Sequence, residues 1–129
     1  LCLVLEKKAD LGREIRLAYS QEDKETLQEI ANIKIPVLLQ RLQDFYQSFR
    51  TQWNLENKSF GFEVQTVRIG GLLQRLKDVQ EILNAYLREE IPGIAELNEP
   101  QKAFHYFEQN EIRSLNYNLW TDIVSPSKI

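Results

Sequence analysis

The chain has 129 residues and a mass of 15.2 kDa, which fits one domain and excludes a (β/α)8 barrel, because that fold takes roughly 250 residues. Apolar residues make up 43% and charged residues 27% of the chain, so a disordered or collagen-like protein is excluded. The net charge of -3 gives no support to nucleic-acid binding, and no apolar run approaches the roughly 20 residues of a membrane span.

The first residues suggest a piece of a longer protein. Methionine is absent and the chain begins at Leu1, so we expect residues 1–129 to be a single helical domain excised from a longer protein. The five apolar residues at the start lack a basic region and are too short for a signal peptide. Cys2 is the only cysteine, which agrees with a reducing compartment and favours a cytoplasmic location.

The first helix is predicted from about Leu3 to Tyr19. Glycine and proline are scarce, and Leu, Gln, Glu, Lys and Arg fill long stretches that favour helices by intrinsic propensity. Within this segment the apolar residues recur with the spacing of one helix face. They are Val4, Leu11, Ile15 and Ala18.

A second helix is predicted to begin after Ser20, because Ser20 followed by Asp23 fits an N-cap with an acidic residue in the first turn. The residues on its inner stripe are Leu27, Ile30, Ala31 and Lys34. Pro36 interrupts the pattern. Proline lacks an N–H and disfavours the α region for the residue before it, Ile35, so we expect a break or kink there. Pro36 also suits the first turn of a third helix.

The third and fourth helices carry the widest apolar stripes. The third should end in the polar stretch 54–59. Its stripe comprises Leu38, Leu42, Phe45, Tyr46, Phe49 and Trp53. The fourth runs from about Gly61 to Glu90, spans roughly 45 Å at 1.5 Å per residue and is predicted to end at Pro92-Gly93. Its inward residues are Ile69, Leu72, Leu73, Leu76, Leu83, Tyr86 and Leu87.

The remainder of the chain gives weaker signals. Asn98, Pro100 and Gln101 predict a short helix through about Glu108. Residues 114–119 alternate as in a strand, yet a lone strand has no pairing partner in a helical domain. This segment is either irregular or paired with a sheet elsewhere in the parent protein. The fold class is therefore all-α: an antiparallel helical bundle with one long helix and an irregular or short-strand C-terminal tail.

The sequence assigns no catalytic, cofactor-binding or metal-binding residue. His105 is the only histidine and Cys2 the only thiol, so neither a His/Cys zinc cluster nor a Cys–His nucleophile can form. We interpret His105 as an ordinary packed or surface side chain. The carboxylate pairs lie at predicted helix ends, where acids act as caps or solvated groups. They are Glu22-Asp23, Glu89-Glu90 and Glu96 with Glu99.

Two features of the long helix suggest contacts with another helix or with a ligand. Arg68 and Arg75 lie seven residues apart and project within about 20° of each other. They form either salt bridges to Glu63 or to acids of the third helix, or an anion clamp such as small all-helical mutases use for dicarboxylates. Gly70-Gly71 costs about 1 kcal/mol per residue against alanine in a helix. This cost suggests a close crossing against Trp53, Phe49 or an external element.

Residues 53–72 read WNLENKSFGFEVQTVRIGGL. This run resembles the C-terminal helical domain of bacterial β-N-acetylhexosaminidases of glycoside hydrolase family twenty, whose pattern reads W-x-x-E-N-K-P-F-G-F-E-V-Q-D-I-R-x-G-G-L. The resemblance extends over about residues 7 to 99, with further matches at Lys8-Ala9-Asp10-Leu11-Gly12, Ile15-Arg16, Ala18-Tyr19, Asp23-Lys24, Tyr86-Leu87, Ile91, Ile94 and Glu96-Leu97. It departs at Ser59 where proline is usual, at Thr66 where an acid is usual, and at residues 88–90 where a glycine is common.

The resemblance implies a parent enzyme that removes terminal β-linked N-acetylglucosamine or N-acetylgalactosamine. In that family the 2-acetamido oxygen of the sugar attacks the anomeric carbon, while an Asp-Glu pair on a (β/α)8 barrel orients the acetamide and acts as acid/base. This chain contains no Asp-Glu dipeptide, so the resemblance transfers no catalytic residue and no cofactor. It implies a non-catalytic domain that supports barrel packing or dimerisation.

The implied partners are the catalytic (β/α)8 barrel of the same parent chain and a possible homodimer, with no nucleic acid and no membrane. The apolar side chains expected to face the barrel, and to cause self-association of the isolated chain, are Phe60, Phe62, Tyr117, Leu119 and Trp120. The alternative function is a free-standing helical module that binds a protein or an anion.

Overall fold

The computed structural model describes residues 1–99, and these residues fold into helices without a strand. The helices are α1 (Cys2–Lys8), α2 (Leu11–Ser20), α3 (Lys24–Glu29), a π-helical turn (Ile30–Lys34), α4 (Ile35–Glu56), α5 (Phe62–Leu87) and α6 (Ala95–Asn98). The all-α prediction is confirmed. The predicted helix through Glu108, the alternating segment 114–119 and the side chains of His105, Tyr117, Leu119 and Trp120 lie outside the described residues.

The bundle is antiparallel. The run from α3 through the π-helical turn to α4 is continuous, because the joining residues Glu29, Ile30, Lys34 and Ile35 all keep helical backbone angles. Contacts between this run and α5 proceed in opposite chain directions: Trp53 with Phe62, Tyr46 with Thr66, Ala31 with Gln80, and Lys24 with Glu89. Helices α1 and α2 pack against the same run in the opposite chain direction, because Glu6 pairs with Arg41 and the later Glu14 pairs with the earlier Lys34.

The hydrophobic core lies where α2, α3, the first part of α4 and the second half of α5 meet. Its fully buried side chains are Leu27, Ile30, Ile35, Leu38 and Leu83. The apolar residues predicted to face inward from the first two helical segments are all buried: Val4, Leu11, Ile15, Ala18, Leu27, Ile30 and Ala31. Lys34, predicted on the same stripe, is half-buried and pairs with Glu14. In α5, Leu76 and Leu83 are buried, and Leu72, Leu73, Tyr86 and Leu87 pack against the core. Ile69 is half-buried outside the core cluster.

Two predicted helix boundaries near the start are wrong. The first helix is interrupted at Ala9 and Asp10: α1 ends at Lys8, and Asp10 (φ -100°, ψ -2°) is the N-cap of α2. Ser20 is the last residue of α2 and not an N-cap; its hydroxyl donates to the Leu17 carbonyl at 2.8 Å. The N-cap of α3 is Asp23, whose carboxylate accepts from the Thr26 N–H at 3.0 Å and from the Thr26 hydroxyl at 2.6 Å. Asp23 thus satisfies an otherwise unpaired donor of the first turn.

Pro36 produces a widened turn, and Ile35 stays helical (φ -65°, ψ -47°), so the predicted displacement of Ile35 from the α region is wrong. The Ile35 N–H bonds the Ile30 carbonyl, one residue farther back than in an α-helix. In this register Pro36 would bond the Ala31 carbonyl, but it has no N–H to donate. The Gln80 side-chain amide of α5 supplies that hydrogen bond at 2.7 Å.

Gln80→Leu should therefore lower the free energy of unfolding by about 1–3 kcal/mol, because it leaves a buried carbonyl without a donor. Ala31 is fully buried, so water cannot easily replace the amide. Urea denaturation measures the loss. The matched control is Gln74→Leu on the same helix, whose amide bonds only Asp78 one turn away. Equal losses in the two variants would contradict the role of Gln80.

Helices α2 and α5 end in the same motif, with glutamate in a left-handed conformation at Glu22 (φ 55°) and Glu89 (φ 61°). At α2, the Glu22 N–H bonds the Tyr19 carbonyl and the Asp23 N–H bonds the Ala18 carbonyl at 2.9 Å. The α5 end repeats this Schellman pattern through Glu89 and Glu90. The predicted stop of α5 at Pro92-Gly93 is wrong: the helix ends earlier, at Leu87, where the left-handed turn satisfies its last carbonyls.

Glu22→Gly should raise the free energy of unfolding by about 1 kcal/mol. A left-handed backbone costs a non-glycine residue roughly 1–2 kcal/mol, whereas glycine adopts it freely. Chemical denaturation measures the gain, with Glu25→Gly in the first turn of α3 as the control. There glycine should destabilise by up to about 1 kcal/mol. If glycine changed the free energy of unfolding in the same direction at both positions, the left-handed strain at Glu22 would not be the cause.

Candidate functional site

Three acids of the predicted carboxylate pairs act as a helix cap or as ion-pair partners. Asp23 caps α3, Glu89 pairs with Lys24 at 2.8 Å, and Glu90 pairs with Arg88 at 2.8 Å. Hydrogen bonds from Thr26, Lys24 and Arg88 lower the pKa of Asp23, Glu89 and Glu90 respectively. A general acid at neutral pH needs a raised pKa, so the direction is opposite to that of an acid catalyst. Among residues 1–99 no cluster of His, Cys, Asp and Glu could hold a metal ion.

The two arginines of α5 have different surroundings. Arg75 pairs with Glu96 in α6, so its predicted pairing with Glu63 or an acid of α4 is wrong. The Glu63 carboxylate instead accepts from the Gly61 N–H at 2.8 Å. Arg68 is exposed and makes no ion pair within residues 1–99. Because Glu96 neutralises Arg75, the structure gives no support to an anion clamp built from both guanidinium groups.

An aromatic cluster outside the core joins the end of α4 to the start of α5. Phe62 lies at its centre, with ring centroids 5.7 Å from Tyr46, 5.6 Å from Phe49 and 5.6 Å from Trp53. Phe62 is only 8% exposed. The prediction that Phe62 faces a partner is therefore wrong: its side chain is covered by the aromatic stripe of the preceding helix.

The loop between α4 and α5 is held in place by side chains of both helices. The Trp53 indole N–H donates to the Lys58 carbonyl at 2.9 Å. Gly61 adopts a left-handed conformation (φ 95°), and a Cβ there would lie 3.7 Å from the Trp53 ring. Phe60, between these two anchors, is 87% exposed. The loop thus presents a large aromatic side chain to solvent from a restrained backbone.

The first half of α5 has an open apolar face. Val64 and Val67 are 46% and 54% exposed, and Val64, Val67 and Gly71 share one side of the helix by their spacing. A Cβ added at Gly70 or Gly71 would meet nothing within 4 Å. The predicted close crossing of the glycines against Trp53 or Phe49 is therefore wrong. We call Phe60, Val64, Val67 and Gly70-Gly71 together the hairpin surface.

Gly71→Ala should raise the free energy of unfolding by about 1 kcal/mol, because alanine is the better helix former and its methyl group has open space. Gly71→Leu should also be stabilising, because the close crossing that would have made leucine overpack is absent within residues 1–99. Thermal denaturation measures the change. Gly61→Ala serves as the control and should destabilise, since its backbone lies in the left-handed region. A lower midpoint for Gly71→Ala would show that the glycine is packed after all.

Sequence reasoning proposed Phe60 as a surface residue but missed Val64 and Val67. The signal was present, since both valines fall outside the inward stripe of the predicted long helix. Sequence reasoning also missed Gln80, whose side-chain amide donates to the carbonyl of Ala31 in another helical segment. None of the helices within residues 1–99 combines the length and the apolar character needed to cross a bilayer.

Comparison with known proteins identifies a family that the chain matches. A protein-family model described as the Glycoside Hydrolase 20C C-terminal domain matches residues 1–116. No curated protein sequence matches the chain. The matched residues include α1 to α6 and the whole hairpin surface.

Proposed function

The chain belongs to the Glycoside Hydrolase 20C C-terminal domain family, and on this premise we propose that it is the non-catalytic helical domain of an exo-β-N-acetylhexosaminidase. The parent enzyme would hydrolyse terminal β-linked N-acetylglucosamine or N-acetylgalactosamine by substrate-assisted catalysis on a (β/α)8 barrel. The domain would support the packing of that barrel or its dimerisation. The family match over residues 1–116 carries this proposal.

The chemistry of the described residues supports a non-catalytic role. A retaining acetamido-hydrolase needs a carboxylic acid held close to a carboxylate that orients the acetamide. Four acids of the predicted pairs, Asp23, Glu89, Glu90 and Glu96, instead contact Thr26, Lys24, Arg88 and Arg75 respectively. These contacts stabilise the ionised carboxylate and suit helix ends. A bacterial, cytoplasmic parent is part of the proposal, and the single cysteine is consistent with a reducing compartment.

The proposal is tested on the parent gene and its product. The reading frame that encodes this chain should also encode a (β/α)8 barrel with an Asp-Glu pair. Deleting residues 1–129 from that product should shorten its half-life at elevated temperature. The chain alone should not hydrolyse a chromogenic β-N-acetylglucosaminide, and turnover by the pure chain would refute the non-catalytic role. Unchanged activity and heat stability after the deletion would refute the supporting role.

The second candidate function is a free-standing module that binds a protein partner. The exposed hairpin surface favours it, because isolated monomers seldom leave a contiguous apolar surface open. The sequence of the whole reading frame distinguishes the two functions. A frame without a barrel would favour the module, whereas a barrel in the same frame would favour the hexosaminidase domain.

A further inference from the structure

Resting on the proposed function, we propose that the hairpin surface is the face by which this domain docks onto the catalytic domain of the same enzyme. The occupant is an apolar element of that domain that carries a carboxylate for Arg68. The two observations that carry the inference are the exposure of Phe60, Val64 and Val67 and the open space over Gly70-Gly71.

The exposed Phe60 lies close in sequence to Phe62, which belongs to an aromatic cluster buried by the side chains of this domain alone. Phe62 is buried among Tyr46, Phe49 and Trp53, whereas Phe60, two residues earlier, is 87% exposed. The Trp53 indole and the Glu63 carboxylate restrain the backbone around Phe60. An aromatic side chain held in this way loses little conformational freedom on binding, which is typical of the anchor residues of interfaces.

Gly70-Gly71 indicates how closely the occupant approaches. The pair costs about 2 kcal/mol of helix propensity against two alanines. Within residues 1–99 no atom packs over either position, so the bundle gains nothing from the missing side chains. A docked element can use that space, because an α-carbon without a side chain lets another backbone come near. We therefore expect the occupant to cross α5 at the glycines and to contact Val64 and Val67 beside them.

The charges of this face disfavour a second copy of the chain as the occupant. Arg68 follows Val67 directly and makes no ion pair within residues 1–99, while Glu63 is engaged by the Gly61 N–H. A two-fold dimer through this face would place its axis near Val67, since both copies must use the same residues. The two Arg68 guanidinium groups would then lie close together and repel each other. A different domain with a carboxylate at this point complements Arg68 instead.

The experiment uses the whole enzyme that contains this domain, labelled with hydroxyl radicals and compared with the same enzyme after proteolytic release of the domain. Phe60 and Val67 should be labelled several-fold more slowly in the intact enzyme. Leu17 of α2 is similarly exposed, at 51%, and lies outside the hairpin surface. Leu17 provides the control and should be labelled equally in both samples.

Matched variants of the whole enzyme provide the second measurement. Val67→Glu should shorten the half-life at elevated temperature by about tenfold, the ratio that corresponds to roughly 1.4 kcal/mol. Leu17→Glu should leave the half-life nearly unchanged. Both positions are about half exposed, so neither substitution should unfold the helical domain, and circular dichroism of the released domain checks this.

The outcomes separate this inference from the proposed function. If deletion of the domain destabilises the enzyme but Phe60 and Val67 are labelled equally in both samples, the docking face is elsewhere and only this inference fails. Protection that disappears on dilution of the enzyme would assign the hairpin surface to a second copy and overturn it. Protection at all concentrations, together with the Val67→Glu effect, supports docking on the catalytic domain.

Discussion

Leu27→Ala is expected to lower the free energy of unfolding by about 2–5 kcal/mol, the range for truncating a fully buried leucine. Leu27 has no exposed surface, and its helix α3 packs against both α2 and α5. The substitution removes apolar contacts and leaves a cavity that three helices must collapse to fill. Because small domains are stable by only about 5–15 kcal/mol, this one change removes a large share of the stability. Urea denaturation followed by circular dichroism measures it.

Leu17→Ala is the matched control for this prediction. Leu17 lies on α2 and is 51% exposed, so the same chemical change removes few contacts and should alter the free energy by less than about 0.5 kcal/mol. A comparable loss at both positions would show that helix propensity, and not core packing, dominates the stability of the bundle.

Phe62→Ala is expected to cost about 3 kcal/mol, at the lower end of the range for large aromatic residues, because the surrounding cluster borders solvent. Phe62 contacts the rings of Tyr46, Phe49 and Trp53 and joins the start of α5 to the end of α4. Within residues 1–99 the rings that contact Phe62 all belong to α4, so the loss should be concentrated at this end of the two helices. Amide hydrogen exchange should accelerate from about residue 62 to residue 69 before it changes near Leu83.

Phe60→Ala provides the control two residues away. Its side chain is 87% exposed, so the isolated domain should change by less than about 0.5 kcal/mol. If Phe60→Ala destabilises the isolated domain as much as Phe62→Ala, then Phe60 belongs to the aromatic cluster. If Phe62→Ala accelerates exchange uniformly along α5, then the hairpin and the core unfold as one unit.

The largest errors of sequence reasoning came from residues whose role depends on a distant partner. Phe60 and Phe62 are identical in type and two residues apart, yet only one fits among the rings of α4. Glu96 lies 21 residues from Arg75 and reaches it only because α6 folds back onto α5. Local spacing contains no information about such contacts, since they depend on how the helices are placed in three dimensions.

The left-handed glutamates show a similar dependence on context. Glycine or asparagine normally marks the left-handed end of a helix, and Glu22 and Glu89 give no such signal. The resemblance noted a common glycine at residues 88–90, and Glu89 has a backbone conformation that suits glycine. The salt bridge between Glu89 and Lys24 joins this turn to the start of α3. The left-handed conformation of Glu89, which local propensity disfavours, is thus accompanied by an ion pair to Lys24 of another helix.

The amino-acid sequence by itself determined the all-α class, the long fifth helix and nearly all of the core, because helical periodicity records which side of each helix is apolar. It also determined the family, through the run from residue 53 to residue 72 that the family match includes. Only the tertiary structure decided that Glu96 pairs with Arg75, that Gln80 bonds the carbonyl left free by Pro36, and that Gly70-Gly71 faces open space. These outcomes depend on distances between atoms far apart in the chain, and the packing of the helices sets those distances.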